Sequence, residues 1–316
     1  LAYGQTGSGK THSMLGPAGG NAVLSGGDSA ALIASPARGL IPRLVSELFA
    51  QLAMLPATEV SWQVHCSVFE LYRESINDLL GSGSNDFRIR EDSGGRGVYV
   101  ENLFAKPCTT APEVLEALQY GLGRRHVAAT KANETSSRSH TLTTISLTQT
   151  NHMRGETVTT SRLMLVDLAG SEKVGKTGAE GDRLKEAQMI NLSLTLLGNV
   201  IYKLTDGKSK YIPYRDSKLT RLLQDSFGGN ASTILLCHCS AAPYNLDETI
   251  STLLFASRAK KIRNRPRVNR DMTAVEMKQA LLQAKEELAV LRDKLALLEE
   301  MRTISGAQPS TASNDV

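Results

Sequence analysis

The sequence predicts an α/β fold, in which a central sheet carries helices on both faces, followed by a separate helical segment. Three observations predict it. Stretches with β-branched alternation and stretches with helical spacing follow one another along residues 1–262. The chain opens on the end of a strand, which leads into a glycine-rich loop and a helix. After residue 262 a basic, proline-containing stretch precedes a heptad repeat.

The individual elements follow from spacing and punctuation. Alternating or apolar runs predict strands over residues 60–71, 87–90, 98–100, 141–150, 157–166 and 232–239. Apolar residues at helical spacing predict helices over 10–15, after Pro42, over 112–129, 184–204, around Leu219 and over 248–262. Residues 16–39 are rich in glycine, alanine and serine and predict an exposed insertion, and residues 169–182 predict a mobile loop.

The composition sets broad limits on the function. The chain has 316 residues, of which 41% are hydrophobic, and a net charge of +4, which does not indicate a nucleic-acid partner. Its four cysteines lack metal or redox spacing and favour a reducing compartment, with Cys237 and Cys239 expected in a buried strand. No apolar stretch reaches the about 18 residues of a membrane span.

Residues 4–11 read GQTGSGKT and match the phosphate-loop pattern G-x-x-x-x-G-K-[ST] at every defined position. Glycines let backbone N–H groups approach phosphate oxygens, and the helix start adds a positive dipole end. In this pattern the Lys10 ammonium reaches the β- and γ-phosphates and the Thr11 hydroxyl binds Mg²⁺. The predicted nucleotide-binding residues are Gly4, Gln5, Thr6, Gly7, Ser8, Gly9, Lys10 and Thr11. The alternative is a glycine-serine turn with a chance lysine.

Two later stretches supply the other parts of a nucleotide switch. Residues 166–172 (VDLAGSE) follow an apolar strand, so Asp167 is predicted to hold Mg²⁺ through water and the Gly170 N–H to meet the γ-phosphate. Residues 133–140 (NETSSRSH) form a hydroxyl-rich loop whose oxygens suit Mg²⁺ and phosphate. Taken singly, the first could be an ordinary turn and the second a capped helix end.

Together and in this order, the three stretches resemble the kinesin motor domain. GQTGSGKT matches its phosphate loop, NETSSRSH its first switch and DLAGSE its second switch, and residues 191–194, 211–220 and 253–256 match later blocks. The resemblance covers roughly residues 1–271 and is closest to conventional, plus-end-directed kinesins. It implies a P-loop NTPase of kinesin type with a mixed central sheet, ATP and Mg²⁺ as ligands, and a cytoplasmic location on the microtubule cytoskeleton.

The resemblance also implies how ATP is hydrolysed by in-line attack of water. Glu172 and Arg138 are expected to form an ion pair when the switches close, after which Glu172 accepts the proton of the attacking water through a second water. Ser136 and Ser137 are expected to position nucleotide, water and Mg²⁺, and His12 to lie near the ribose or base. The implied catalytic residues are Glu172, Arg138, Ser137 and Gly170. The implied metal ligands are Thr11, Ser137 and Asp167. The alternatives are a structural ion pair for Arg138 and Glu172, and a surface histidine at His12.

Positive charge is concentrated between residues 173 and 221, where ten residues are basic and five acidic. In kinesins this region lies on the microtubule, and the surface of tubulin is acidic. The predicted microtubule contacts are Lys173, Lys176, Lys208, Lys210, Arg215 and Lys218. The alternative is a solvated helix face.

The resemblance divides the chain into a motor domain over residues 1–262, a neck linker over 263–273, a coiled coil over 274–302 and a disordered tail over 303–316. In kinesins the linker docks along the sheet, and Asn269 matches the asparagine that latches it. Apolar residues spaced 4-3-4-3-4-3 from residue 277 to residue 298 predict a seam that joins two copies of the chain. The alternative is a helix that packs on its own domain.

The chain opens on residues 1–3 in mid-strand and without methionine, so we expect it to lack the N-terminal part of the motor domain. In kinesins one of the missing strands pairs with the strand that matches residues 232–239. An unpaired apolar edge invites aggregation, so residues 1–316 alone are expected to be unstable and to hydrolyse ATP poorly.

Three functions stay open at this point. The favoured one is an ATP-driven microtubule motor. An ATPase assay with and without microtubules would distinguish it from the other two. The second is a microtubule-binding or dimerising fragment without ATPase activity. The third is another phosphate-loop switch such as a GTPase, and the sequence contains no guanine-specific N-K-x-D stretch. The sequence does not indicate the cargo.

Overall fold

The structure is a computed structural model, and it describes residues 1–17, 33–82, 87–92, 97–130, 138–154, 156–172, 182–271 and 274–304. The strands are β1 (Ala2–Gly4), β2 (Val60–Tyr72), β3 (Ser75–Asp78), β4 (Ile89–Glu91), β5 (Val98–Val100), β6 (Lys106–Cys108), β7 (His140–Asn151), β8 (Thr157–Asp167) and β9 (Leu236–His238). The helices are α1 (Lys10–Leu15), α2 (Leu40–Ala53), α3 (Ala111–Thr130), α4 (Asp182–Thr205), α5 (Lys218–Leu222), α6 (Leu246–Ala259) and α7 (Ala274–Ile304).

Within the described residues, seven strands form one mixed sheet. Its order is β3-β2-β7-β8-β1-β9, and β6 pairs with β2 beside β3. The long strands β2, β7 and β8 pair antiparallel, whereas β1 runs parallel to both of its neighbours, β8 and β9. Strands β4 and β5 form a separate antiparallel hairpin. The carboxyl ends of β1, β8 and β9 therefore meet at one edge of the sheet.

The sheet has an apolar cluster on each face because neighbouring residues of a strand point to opposite sides. Ala2 belongs to one cluster and Tyr3 to the other. Helices α1, α2 and α3 cover the first face through residues such as Met14, Val45 and Leu115. Helices α4, α5 and α6 cover the second face, where the ring of Phe255 stacks on Tyr3 with centroids 3.9 Å apart. The predicted α/β architecture with helices on both faces is thus observed.

Most sequence-predicted elements are found with shifts of one to three residues at their ends. The predictions missed β3 and β6, which are three or four residues long and lack alternation. The prediction of a strand over residues 232–239 was too long, since only Leu236–His238 is a strand. Strand β1 offers partners to these three residues alone, and the Asn264 side chain instead binds Ala231 O and Thr233 Oγ1.

The expectation that Cys237 and Cys239 are buried was wrong. Cys237 is half-buried and Cys239 is exposed, because β9 lies at the edge of the sheet. Cys66 and Cys108 are the buried pair, and burial raises the pKa of the Cys66 thiol to about 12. A thiol with such a pKa stays protonated and packs as a small apolar group.

The insertion and the loop after β8 are described only in part. Residues 18–32 and 173–181 lie outside the described residues, and with them most of the predicted insertion and of the predicted mobile loop. The end of the insertion is closely packed, since the Gly39 N–H donates to Leu15 O at 3.2 Å. Pro42 lies within α2, which begins two residues earlier, at Leu40.

The predicted linker lies against the sheet rather than apart from it. Arg270 forms an antiparallel bridge with Thr159, on the part of β8 that β1 does not reach. The Thr160 N–H donates to Asn269 O at 2.9 Å, and the Asp271 N–H donates to Val158 O at 2.8 Å. The linker therefore adds a short edge to the sheet in this structure.

Helix α7 contains the predicted heptad seam. Along its described part the seam residues Met277, Leu281, Leu288, Leu291, Leu295 and Leu298 are exposed. Exposure of the whole row argues against the alternative in which this helix packs on its own domain, and leaves dimerisation as a prediction. Among the described helices, none is long and apolar enough to cross a membrane.

We predict that Leu142→Ala lowers the free energy of unfolding by about 2–5 kcal/mol, because it opens a cavity in the second cluster. Leu142 is 0% exposed and lies between Phe69 of β2 and Val166 of β8. Leu246→Ala is the matched control, since Leu246 is 59% exposed and should change stability little. Urea unfolding measures both, and equal losses would contradict the assignment of Leu142 to the core.

Candidate nucleotide-binding and hydrolysis site

The glycine-rich loop connects β1 to α1 at the edge where the parallel strands end. Gly7 and Gly9 have φ angles of 76° and 98°, which side chains rarely tolerate, so the two glycines allow the loop to turn into the helix. Ser8 closes the turn, because its N–H and its hydroxyl both donate to Gln5 O. The first backbone N–H groups of α1 point out of this turn, which is the arrangement that binds phosphate.

Lys10 is folded back into the loop. Its ammonium donates to Gly4 O and Gln5 O, both at 2.9 Å, and the side chain is only 8% exposed. Burial lowers the pKa of Lys10, while the carboxylates of Asp167 and Glu172 act in the opposite direction and favour its charged form. The lysine that sequence analysis assigned to the phosphates is therefore held inside the loop by backbone carbonyls and faced by two acidic groups.

Two of the three predicted metal ligands are in contact. The Thr11 hydroxyl donates to Asp167 Oδ2 at 2.6 Å, which joins the start of α1 to the end of β8. The other carboxylate oxygen, Oδ1, is buried and has no hydrogen-bond partner among the described residues. A hard cation takes such oxygens, so the pair fits Mg²⁺. Among the described residues, no group of three or more His, Cys, Asp or Glu is placed so that it could hold a metal ion.

Glu172 lies directly against the phosphate loop. One of its oxygens accepts the Thr6 N–H at 2.8 Å and the other accepts the Thr6 hydroxyl. The Ser171 N–H donates to Gly4 O at 3.1 Å, which fixes the second switch beside the loop. Gly170 lies in a space with no room for a side chain, because a Cβ there would be 2.3 Å from both Thr6 Oγ1 and Glu172 Oε2. The predicted proton acceptor and the predicted γ-phosphate donor are thus neighbours.

Several predicted site residues cannot be located. Ser136 and Ser137 of the first switch, and Lys173 and Lys176 of the predicted microtubule face, lie outside the described residues. Arg138, half-buried at the end of that switch, is described. In this structure the carboxylate of Glu172 binds Thr6, so the ion pair between Arg138 and Glu172 in the closed site stays a prediction. His12 is exposed on α1, and its place beside the ribose or base also stays a prediction.

A largely buried ion pair supports the first switch, and sequence analysis missed it. Arg125 of α3 lies 3.5 Å from the carboxylate of Glu70 on β2. Its Nη2 donates to Ser139 O at 3.1 Å and to Ser139 Oγ at 2.9 Å, and the same hydroxyl donates to Glu70. Because the pair joins residues 55 positions apart, no local pattern indicates it. It anchors the chain immediately after Arg138.

His140 connects both switches to α4, a role that its place in the first switch motif did not reveal. The Ala169 N–H donates to its Nδ1 at 3.0 Å, so the ring proton is on Nε2, which donates to Ser193 Oγ at 2.9 Å. The ring is 3% exposed, and burial lowers its pKa to about 3, with the nearby cations Arg125 and Lys10 acting in the same direction. His140 is therefore neutral and in one tautomer at physiological pH.

The described basic residues of the predicted microtubule face lie between α4 and α5. Lys208, Lys210 and Arg215 are exposed, and Lys218 is half-buried at the start of α5. Asp206 shapes this loop by accepting hydrogen bonds from the Ser209 hydroxyl and from the N–H groups of Ser209 and Lys208, which lower its pKa to about 2. The loop presents its cations on a defined turn.

Comparison with known proteins agrees with the motifs. The family described as the kinesin motor domain matches residues 1–262. A kinesin heavy chain of Botryotinia fuckeliana is 45% identical over 299 residues, which cover 95% of this chain and 32% of that protein. A kinesin heavy chain of Drosophila melanogaster is 43% identical over 301 residues, which cover 95% of this chain and 29% of that protein. This chain spans about a third of the length of these curated relatives.

Solved structures have the same fold. The structure of a fast kinesin, described for its ATPase mechanism and its interactions with microtubules, is 44% identical with a TM-score of 0.74, covering 88% of this chain and 74% of that one. A KIF14 dimer in a two-heads-bound state, with AMP-PNP and a microtubule, is 41% identical with a TM-score of 0.72, covering 86% and 74%. The predicted fold class and the resemblance drawn from the motifs are confirmed.

We predict that His140→Ala destabilises the domain, because it leaves the Ala169 N–H and the Ser193 hydroxyl buried without their partner. Each unsatisfied group costs about 1–3 kcal/mol. His152→Ala is the control, because the His152 side chain is exposed and bonds only Ser61 among the described residues. Urea unfolding at pH 7.5 should separate the two variants, and an equally small effect of both would contradict the bridge.

The loss caused by His140→Ala should shrink as the pH falls. The pKa of His140 is about 3 when folded and 6.5 in its ordinary state, so between these values the unfolded chain binds more protons. Stability from the neutral ring is therefore fully present above pH 6.5 and is lost progressively towards pH 3. The difference between wild type and variant, measured at pH 7.5 and at pH 5, should be smaller at pH 5. A constant difference would show that the ring protonates in the fold.

Proposed function

The chain belongs to the kinesin motor domain family, and on that premise we propose that it hydrolyses ATP with Mg²⁺ and uses the energy to move along microtubules. One arrangement carries the proposal. The phosphate loop bonds at Thr11 to the predicted metal ligand Asp167, and at Thr6 to the predicted proton acceptor Glu172. The phosphate loop, two of the three proposed metal ligands and the proposed base therefore lie next to one another.

Nucleotide binding rests on the loop and its lysine. The backbone N–H groups after Gly7 would bind phosphate oxygens, and Lys10 would exchange its two carbonyl partners for the β- and γ-phosphates. Charge favours this exchange, because a phosphate oxygen accepts a stronger hydrogen bond from an ammonium than a neutral carbonyl does. Mg²⁺, held by Thr11, Asp167 and Ser137 when bound, would neutralise charge on the phosphate oxygens.

Hydrolysis needs a group that takes a proton from the attacking water. Glu172 is acidic, lies at the loop and is close to Gly170, where there is no room for a side chain. For Glu172 to act, its carboxylate would leave Thr6 and pair with Arg138, which lies at the end of the first switch. Closure of the two switches would therefore create the base at the moment it is needed.

Transmission to the track would run through His140. Its ring bonds the backbone of the second switch on one side and Ser193 of α4 on the other. A shift of residues 169–172 when the γ-phosphate leaves would therefore be transmitted to α4. The C-terminal end of α4 directly precedes the loop that carries Lys208 and Lys210. This path supplies a physical link between the phosphate and the predicted microtubule face.

The remaining features support a two-headed motor. One structural relative is a dimer in complex with a microtubule, and the exposed heptad seam of α7 would join two copies of this chain. The linker would transmit the state of each head to the coil.

By its likeness to kinesin heavy chains we propose movement towards the plus end and a cytoplasmic, cytoskeletal location. ATPase activity assayed with and without microtubules tests the proposal, and a rate that microtubules leave unchanged would refute it.

We predict that Glu172→Ala lowers turnover by about 10²–10⁴-fold while ATP binding survives, because the phosphate cradle is untouched. Lys10→Ala should instead weaken ATP binding itself. Glu47→Ala, an exposed carboxylate on α2, is the control and should behave as wild type. Steady-state turnover and nucleotide titration separate the three variants. Wild-type turnover in Glu172→Ala would remove it as the proton acceptor.

Replacing Lys208, Lys210, Arg215 and Lys218 by alanine should raise the microtubule concentration needed for half-maximal ATPase by about sixteenfold, since each exposed ion pair contributes about a factor of two. Basal ATPase should hardly change, because these side chains lie away from the loop. The difference from wild type should narrow as salt is added. Unchanged stimulation by microtubules at low salt would show that the microtubule contact lies on another surface of the domain.

A further inference from the structure

The end of α6 and the linker together carry a concentration of positive charge that the motor motifs do not explain. Seven of the thirteen residues from 258 to 270 are basic and none is acidic. All seven side chains are exposed. They are Arg258, Lys260, Lys261, Arg263, Arg265, Arg267 and Arg270.

Three of these cations, Arg263, Arg265 and Arg267, form what we call the arginine row. None of the three has an ion pair with a described residue, whereas the neighbouring Arg270 pairs with Glu276 at 2.5 Å. Arginine side chains are weakly hydrated and bind carboxylates in a bidentate manner. Three of them side by side without internal partners repel one another, and an anionic partner would relieve that repulsion.

The backbone beneath the arginine row is held firmly. The Asn264 amide donates to Ser226 O, Ala231 O and Thr233 Oγ1, and its oxygen accepts the Gly228 N–H at 2.7 Å. These contacts use both N–H donors of that side chain and one of the two acceptor positions of its oxygen.

Bonds of the residues that follow Asn264 extend the anchoring. The Arg265 N–H donates to Gly229 O at 3.0 Å, and the Arg267 N–H donates to Asn230 Oδ1. The same Asn230 side chain donates to Asn269 Oδ1 at 2.7 Å. With its backbone fixed, the arginine row loses less conformational entropy on binding a partner than a free chain would.

The spacing of the row suits an extended chain. Arg263, Arg265 and Arg267 occupy alternate positions of the linker, so in extended backbone neighbouring members are about 7 Å apart along the segment. Acidic residues at alternate positions of an extended polypeptide have the same repeat. Each guanidinium could therefore pair with one carboxylate without bending either backbone.

The arginine row is continuous with the basic loop that follows α4. The Tyr214 hydroxyl, next to Arg215, donates to Phe227 O at 2.6 Å. Phe227 opens the turn of residues 227–230, to which the linker is bonded through Asn264 and Arg265. A single turn thus touches both the predicted microtubule face and the linker.

We propose that the arginine row binds an acidic, extended segment of the tubulin surface while the linker is docked, as a second contact beside Lys208, Lys210 and Arg215. The proposal rests on the proposed function for the identity of the partner. When the linker leaves the turn of residues 227–230, the row loses its fixed spacing and this contact weakens. The arginine row would then make microtubule affinity depend on the state of the linker.

Other polyanions fit the surface less well. Residues 256–271 contain no aromatic side chain on which bases of a single-stranded nucleic acid could stack. Beyond residue 261, this stretch forms neither a helix nor a two-stranded ribbon that could enter a groove of a nucleic-acid duplex. The row lacks the large apolar side chains that anchor a protein in a lipid surface.

The first test measures binding of fluorescent poly-L-glutamate to the full chain. R263Q/R265Q/R267Q should bind it about eightfold more weakly, because each exposed ion pair contributes about a factor of two. The control R43Q/K106Q/R124Q removes the same charge on or beside α2 and α3 and should bind as wild type. Equal affinity of the row variant and wild type overturns the proposal. Displacement of poly-L-glutamate by a single-stranded oligonucleotide at lower concentration overturns the choice of an acidic polypeptide.

The second test distinguishes the effect of the fixed spacing of the arginine row from the effect of its positive charge alone. Asn230→Ala keeps all three arginines but removes the bonds to Arg267 and Asn269, so it should weaken poly-L-glutamate binding about two- to fourfold. Circular dichroism checks that the variant remains folded. The variant R263K/R265K/R267K is an independent test, because lysine keeps the positive charge but cannot pair with a carboxylate in a bidentate manner, so this variant should also bind poly-L-glutamate more weakly. Wild-type affinity in both variants overturns the role of fixed spacing.

The third test identifies the source of the acidic segment. Co-sedimentation with microtubules should be weaker for R263Q/R265Q/R267Q than for the control, with a smaller dependence on salt. Loss of poly-L-glutamate binding with unchanged co-sedimentation overturns tubulin as the partner. Failure of the wild-type chain itself to co-sediment overturns the proposed function, while the poly-L-glutamate measurements still decide whether the row binds acidic polypeptide.

Discussion

Parallel pairing of β1 with β8 is the constraint on which the rest of this structure depends. Ala2 is opposite Asp167, so the phosphate loop and the second switch leave the sheet side by side. The side chains of Thr11 and Thr6 are therefore placed within hydrogen-bonding distance of Asp167 and Glu172 respectively. Because the two segments are more than 150 residues apart in the chain, only the sheet brings them together. A shift of one residue in this register would turn Asp167 to the other face and dismantle the site.

Behind this edge, buried polar groups connect the moving parts to fixed ones. The Arg125–Glu70 pair holds Ser139, and His140 joins Ala169 to Ser193. Buried hydrogen bonds of this kind contribute modestly when made and cost more when broken. A rearrangement of either switch must therefore keep these bonds or exchange them for others. Such all-or-none contacts suit a switch with two defined states better than an apolar contact that yields gradually.

The turn of residues 227–230 plays the corresponding part on the other side of the molecule. It touches Tyr214 beside the basic loop after α4, and it bonds the linker through Asn264 and Asn230. The predicted microtubule face and the linker thus share one short segment. The amide side chains there supply both donors and acceptors, so the linker is held by directional bonds and not by apolar burial. Directional bonds release without exposing a hydrophobic surface, which would suit the docking and undocking that we propose for the linker.

The sequence by itself determined the phosphate loop, the second switch and the alternation of strands and helices, because local spacing and glycine chemistry dictate those features. It also predicted that Thr11 and Asp167 serve one metal, and the two side chains are in contact in the structure. The tertiary structure alone decided that Glu172 rests on Thr6, that His140 bridges to Ser193 and that Arg125 pairs with Glu70. The shortened β9 has the same origin, because an apolar run becomes a strand only where a neighbour offers partners, and β1 offers three. Contacts between distant segments depend on register and packing, which no local pattern encodes.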